Sequence, residues 1–105
     1  MTNLDDREKG FEAKFAHDEE QEFKATARRN RMLGEWAARR MGLENGDDYA
    51  QAVVKSDFEQ PGDEDVLRKI SHDFKASGIT TPQSEIRAKM DELLAIARAQ
   101  VREEL

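Results

Sequence analysis

The chain has 105 residues, of which 38% are charged, and its formal net charge is −6 at pH 7. This length fits one domain, and such a charged composition leaves a thin hydrophobic core. The absence of cysteine excludes a disulfide framework and any zinc or iron–sulfur site with thiolate ligands, and no apolar run is long enough to span a bilayer.

The first 17 residues combine two apolar side chains with mostly charged neighbours. Phe11 and Phe15 are four residues apart, so they would share one face of a helix. Gly10 interrupts the segment and costs about 1 kcal/mol relative to Ala inside a helix. We therefore predict that residues 1–17 are disordered or marginally helical in the free protein and fold on meeting a partner. The alternative is that Phe11 and Phe15 pack as an ordinary extension of the first helix.

The next segment predicts a long first helix, because its apolar residues recur at steps of three and four. These residues are Phe23, Ala27, Leu33, Ala37 and Met41, with Trp36 beside them. We expect the helix to begin between Asp18 and Glu22. Gly42 marks its end, since glycine commonly follows a helix C-terminus.

A second and a third helix follow on either side of Pro61-Gly62. Asp47 or Asp48 can cap a short second helix, which stops before the proline. Asp63 then caps a third helix, which Ser77-Gly78 closes. The apolar face of this third helix is formed by Val66, Ile70 and Phe74, with Leu67 alongside.

The fourth helix is predicted from Thr81 to the end of the chain. Thr81 would be the N-cap and Pro82 the first helical residue, because proline already has the backbone geometry of that position. The apolar stripe that follows is Ile86, Met90, Leu93, Leu94, Ala97 and Val101. It continues almost to the C-terminus, so this helix buries one face along its whole length.

Together these elements predict an all-α fold, a four-helix bundle with one short helix and a mobile or frayed N-terminal segment. The bundle covers residues 18–105 and the N-terminal segment covers residues 1–17. The predicted core is Phe23, Leu33, Trp36, Tyr49, Val53, Val66, Ile70, Phe74, Ile86, Met90, Leu93, Leu94 and Ala97.

Nothing in the sequence predicts catalysis or a metal site. His17 and His72 are the only histidines, and neither has a second histidine or a cysteine at ligand spacing. The serines occur without a neighbouring base and orienting group, and the six glycines form no phosphate-binding loop. We expect no catalytic residues, no metal and no enzymatic activity.

A basic region runs from Lys24 to Arg40, with six basic residues and one acid. Its densest part contains Arg28, Arg29 and Arg31, a possible nucleotide contact. Because the chain as a whole is acidic, salt bridges to the acidic residues 44–65 explain this cluster better than nucleic acid does.

Three stretches of the chain resemble one known family. They are FEAKFAHDEE at residues 11–20, PGDEDVLRKI at residues 61–70 and IRAKMDELLA at residues 86–95. They resemble the zeta subunit of alphaproteobacterial F-type ATP synthases, and the likeness covers nearly the whole chain. Leu4 and Gly10 depart from the family pattern, and both changes weaken the N-terminal helix.

The resemblance implies an inhibitor of ATP hydrolysis, whose N-terminal segment enters the catalytic head and blocks rotation in the hydrolysis direction. The expected partners are the catalytic head and the rotor of the F-type ATP synthase, with no nucleic acid and no direct membrane insertion. The partner-binding residues would be Leu4, Asp5, Asp6, Arg7, Glu8, Phe11, Glu12, Lys14 and Phe15. Phe11 and Phe15 would be the buried anchors, while the acids pair with basic groups of the head.

The same resemblance implies a protein that is monomeric when free, cytoplasmic, and peripheral to the inner membrane through the synthase. It implies no cofactor beyond weak binding of ADP or ATP. The alternative interpretation is a small helical protein that binds adenine nucleotides, or associates with nucleic acid, through Lys24–Arg40.

Overall fold

Four α-helices follow one another along the chain. They are α1 (Thr2–Met41), α2 (Gly46–Glu59), α3 (Asp63–Ala76) and α4 (Gln83–Glu103). The computed structural model describes the backbone of residues 2–105 and the side chains of residues 18–105, and this part of the chain contains no strand. The predicted all-α class and four-helix bundle are confirmed.

Glycines mark three of the helix junctions, as the sequence predicts. Three glycines, Gly42, Gly62 and Gly78, have positive φ values of 71°, 143° and 77°. Residues that carry a Cβ rarely adopt such backbone angles. Gly42 and Gly78 directly follow the last turns of α1 and α3. Gly62 immediately precedes α3, where its carbonyl accepts a backbone hydrogen bond from Asp65 at 3.2 Å.

The N-terminal boundaries of all four helices differ from the sequence prediction. The helix α1 begins at Thr2 rather than between Asp18 and Glu22. The side chains before residue 18 lie outside the described residues, so the prediction for residues 1–17 in the free protein stays a prediction. The N-cap of α4 is Pro82 rather than Thr81, that of α2 is Asn45 rather than Asp47 or Asp48, and that of α3 is Gly62 rather than Asp63. The three aspartates lie inside the first helical turns, where their negative charge favours the helix N-terminus without capping it. The helices α2 and α3 have 14 residues each.

The helix α1 is the central element, since it packs along both α2 and α4. It runs antiparallel to α4, because Arg40 near its C-terminus pairs with Glu85 at the start of α4, and Arg28 pairs with Glu104 at the other end. The approach to α2 is closest at Gly34, where a Cβ would lie 2.6 Å from the Cα of Ala50. Only glycine allows the two backbones to meet this closely.

The main core lies where all four helices meet. Its fully buried members are Leu33, Ala37, Val53, Val66, Leu67, Ile70, Phe74, Ile86 and Met90. Trp36, Tyr49 and Leu93 are partly buried against them, and the rings of Trp36 and Phe74 are 5.7 Å apart. A smaller cluster of Ala25, Ala97 and Val101, with Met32 and Leu94 beside it, joins α1 to α4.

The predicted core is confirmed except at Phe23, whose side chain is 63% exposed. Phe23 has the helical spacing of a core residue, but α2 runs antiparallel to α1 and ends at Glu59. No helix therefore covers this part of α1 on the side of Phe23. The periodicity of one helix cannot show where its neighbour ends.

Candidate functional site

The nine residues predicted to bind a partner all lie between Leu4 and Phe15, outside the described side chains. The structure shows that helix α1 runs continuously from Thr2 to Met41. Any partner that holds residues 4–15 is therefore joined by one helix to the described part of α1. The geometry of a candidate site begins at residue 18.

The three arginines predicted as a nucleotide contact are not brought together. Arg28 forms a two-pronged ion pair with Glu104, in which its Nη2 lies 3.0 Å from Oε2. Arg31 is 3.4 Å from Glu35, one turn along the same helix. Each of these arginines already faces a carboxylate, so the cluster offers no shared phosphate site.

Arg29 differs from its neighbours because its side chain is only 1% exposed. Its Nε donates a hydrogen bond to Oδ1 of Asn30 at 2.8 Å, and its Nη2 donates to Oδ1 of Asp63 at 2.7 Å. The expected salt bridge to the acidic residues 44–65 is thus confirmed for Arg29, whereas Arg28 and Arg31 pair with Glu104 and Glu35 outside that region. A buried guanidinium requires such partners, since an unpaired buried charge is strongly destabilising.

Asn30 continues this network to α2. Its side chain is 1% exposed, and its Nδ2 donates to Oδ2 of Asp57 at 2.8 Å. The other carboxylate oxygen of Asp57 accepts a hydrogen bond from the backbone N–H of Gly62 at 3.2 Å. The network therefore ties α1 to the last turn of α2 and the first residue of α3.

An open cavity of about 570 Å³ lies beside this network. Its apolar wall includes Phe23 and Ala27 of α1 together with Val54, Phe58 and Pro61. Phe23 and Phe58 are 63% and 74% exposed, so both rings face solvent at the cavity rim. Large exposed aromatic side chains grouped on one surface are typical of binding sites.

Carboxylates line the same cavity, and among the side chains that the structure describes no lysine or arginine does. They are Glu19, Glu22, Asp57 and Asp63. Arg98 pairs with Glu22 at 2.6 Å and Arg29 pairs with Asp63. Within residues 18–105, the donors to Asp57 are the neutral groups of Asn30 and Gly62. The cavity therefore combines an apolar wall with an excess of negative charge.

Sequence reasoning missed Phe58 as a surface residue, although its position along α2 carries a signal. Tyr49 and Val53 define the inward face of α2, and Phe58 lies nine residues after Tyr49. At 3.6 residues per turn this separation places Phe58 on the opposite side of the helix. A large aromatic residue opposite the core face of a helix indicates an exposed side chain that is available to a partner.

A second polar cluster joins α2 and α3. The hydroxyl of Tyr49 donates to Oδ2 of Asp73 at 2.6 Å, and the Nζ of Lys69 lies 3.2 Å from the same oxygen. Burial, and then the hydrogen bond to Asp73, raise the pKa of Tyr49 well above its ordinary value. The tyrosine therefore stays protonated, and the cluster holds two helices together rather than providing a base.

Among the described side chains, no group of three or more histidine and carboxylate residues is placed to hold a metal ion. None of the helices in the described part of the chain is long and apolar enough to cross a membrane.

The comparison with known proteins is specific. A family model described as "ATPase inhibitor subunit zeta" matches residues 1–100. The chain belongs to this family. The match includes the N-terminal segment as well as all four helices, and it agrees with the resemblance found in the sequence.

A structure solved by solution NMR is similar to this chain, with 45% sequence identity and a TM-score of 0.66. The similarity covers 79% of this chain and 96% of the other chain. No curated protein matches the sequence.

Proposed function

We propose that this ATPase inhibitor subunit blocks ATP hydrolysis by an F-type ATP synthase, with its N-terminal segment as the inhibitory element. The observation that carries the proposal is the family match, which begins at residue 1 and extends through residue 100. Residues 1–17 enter the catalytic head, and the bundle positions them. The protein acts as a monomer in the cytoplasm, at the membrane surface, because the synthase holds it there.

The polar chemistry of the bundle supports this division of roles. Arg28, Arg29 and Arg31 are each paired with a carboxylate, so a nucleotide would have to displace existing ion pairs to use them. The same pairing opposes nucleic-acid binding through Lys24–Arg40. A bundle whose arginine cluster is engaged in internal ion pairs suits a scaffold that presents another segment.

The proposal is tested by adding the full chain to the isolated catalytic head and measuring ATP hydrolysis. We expect a dose-dependent fall in the rate. Replacing Phe11 and Phe15 together with Ala should remove most of the inhibition, because helix-in-groove binding concentrates its energy in apolar side chains at i and i+4. The matched control replaces Ile96 and Leu105, two exposed apolar side chains on or after α4, with Ala.

Deleting Met1 to Phe15 separates inhibition from folding. We expect the melting temperature to change little, because the segment offers only two large aromatic groups, while inhibition is lost. Full inhibition by the shortened chain would contradict the proposal. A large fall in melting temperature would show that Phe11 and Phe15 pack on the bundle.

A further inference from the structure

We propose that Phe23, Val54 and Phe58 form a second docking surface, the aromatic strip, which binds a basic amphipathic helix of the ATPase. The inference rests on the proposed function, because it takes the ATPase as the partner. It adds a contact made by the bundle itself, separate from the N-terminal segment. Three properties of the strip support this partner: its exposure, its extent and its charge.

The rings of Phe23 and Phe58 are exposed although burying them would stabilise the fold. Phe23 is 63% exposed and Phe58 is 74% exposed, although burying one such side chain contributes roughly 1.5–3 kcal/mol. Both rings lie at the rim of one cavity, which makes a continuous apolar surface rather than two isolated residues. Such paired aromatic groups are the residues that dominate binding energy in protein interfaces.

The strip continues over Phe58 to the other side of α2. A second, shallower cavity of about 320 Å³ shares Val54 and Phe58 and extends to Arg31 and Lys55. A small molecule in either cavity would leave part of the Phe58 ring in water. A helix lying across Phe23 and Phe58 would cover both rings, because apolar side chains at i, i+3 and i+4 form such a ridge.

The charge around the strip selects the partner. Arg31 and Lys55 are paired with Glu35 and Glu59, so the far side is locally neutral. On the α1 side, the donors that the described residues give to Asp57 are neutral, and Glu19 forms no ion pair with another described side chain. This excess of negative charge favours lysine or arginine beside the apolar ridge of the docked helix.

The position of the strip explains its use. The helix α1 carries both the strip residue Phe23 and, nearer its N-terminus, the segment predicted to inhibit. A contact at the strip would hold residues 1–17 near their binding cleft, which raises their effective concentration without any new contact inside the cleft. The strip should therefore set the concentration at which inhibition occurs, and the N-terminal segment should set its final extent.

The experiment is a titration of the full chain against ATP hydrolysis by the catalytic head. Replacing Phe23 and Phe58 with Ser should raise the half-inhibitory concentration about tenfold or more, with unchanged inhibition at saturation. The control replaces Ile96 and Leu105 with Ser, and should stay within about twofold of the original chain. Circular dichroism melting verifies that each variant is folded.

Three results of this titration are distinct. Inhibition by the Phe23→Ser, Phe58→Ser variant at the original concentrations would overturn the aromatic strip and leave the proposed function intact. A fall in inhibition at saturation, as expected for Phe11→Ala with Phe15→Ala, would place Phe23 and Phe58 in the inhibitory element itself and overturn a separate docking role. No inhibition by the unaltered chain would overturn the proposed function and this inference with it.

The charge of the partner is tested by Glu19→Lys, with Glu103→Lys at the exposed end of α4 as the control. At about 50 mM salt, Glu19→Lys should bind the catalytic head several-fold more weakly than the control, and the difference should shrink at about 300 mM salt. Equal binding of the two variants at low salt would overturn the basic partner.

Two measurements on the free protein test other occupants of the strip. A dimer in sedimentation experiments, abolished by Phe23→Ser with Phe58→Ser, would assign the strip to a second copy of this chain. Chemical shift changes at Ala27 and Val54 on deletion of residues 1–15 would assign it to the chain's own N-terminal segment. Either result would overturn the ATPase helix as the occupant, and a monomer without such shifts supports it.

Discussion

The main core and the region around residues 18–30 of α1 use the same helix in opposite ways. In the main core, α1 is covered by its neighbours, and Leu33 and Ala37 are fully buried. Around residues 18–30, α2 ends at Glu59, so the side chain of Phe23 is exposed to solvent. The buried side chains of Arg29 and Asn30 form a polar network in this region. Apolar residues on one and the same helix therefore stabilise the fold in one region and remain available for binding in the other.

The comparison is sharpest at two phenylalanines. Phe74 is 1% exposed and packs against Trp36, so Phe74→Ala should lower the free energy of unfolding by about 3–5 kcal/mol. Phe58→Ala removes the same atoms from an exposed site and should change it by less than about 0.5 kcal/mol. Chemical denaturation measures the free energy of unfolding of both variants. Equal losses of stability would show that the two regions do not differ in how they use their apolar residues.

The polar network gives the next largest effect. Arg29→Ala should cost about 2–4 kcal/mol, because it removes a buried side chain and leaves Oδ1 of Asn30 without its described donor. Arg31→Ala is the matched control, since that side chain is 57% exposed and should contribute less than about 0.5 kcal/mol. Similar losses at the two positions, measured by denaturation, would show that the network does not hold the helices.

Tyr49→Phe tests the link between α2 and α3 and its dependence on pH. Burial opposes ionisation of Asp73, but hydrogen bonds from Tyr49, His72 and Lys69 outweigh it and lower its pKa below 3.8. A lowered carboxyl pKa stabilises the fold above the unfolded value, and this contribution is lost as the pH falls through the folded value. The variant should therefore cost about 1–2 kcal/mol at neutral pH.

The same variant and the original chain should become more alike in stability as the pH falls through the lowered pKa of Asp73, where this carboxylate takes up a proton. Unfolding curves recorded across this range check the expectation. A cost that stays constant from neutral to acid pH would mean that the hydroxyl contributes by packing and not through the charged carboxylate.

The smallest effect belongs to the surface ion pairs. Arg28→Ala breaks the contact with Glu104, but both side chains are exposed to solvent, which screens the pair, so the loss of stability should be the smallest of this series. Thermal melting at low and high salt measures it. A larger loss would mean that the end of α4 depends on this pair, and that residues 18–30 are held more firmly than their exposure indicates.

The sequence predicted the bundle well where local signals are strong. The repeat of Val66, Ile70 and Phe74 predicted the buried face of α3, and Gly78 marked the junction after it. For the candidate site, the sequence predicted salt bridges between the arginine cluster and residues 44–65, and of its three arginines Arg29 forms one. It did not predict the burial of Arg29 and Asn30, because a polar residue is buried only when partners from other helices surround it.

The sequence by itself determined the helices, their apolar faces and the family, because these depend on residue spacing and on motifs within single segments. Only the tertiary structure decided which apolar residues are buried, since that depends on where each neighbouring helix ends. Phe23 and Phe58 show the reason. Both are large and apolar, yet α2 stops at Glu59 before it can cover Phe23, and Phe58 lies on the far side of α2 from the core.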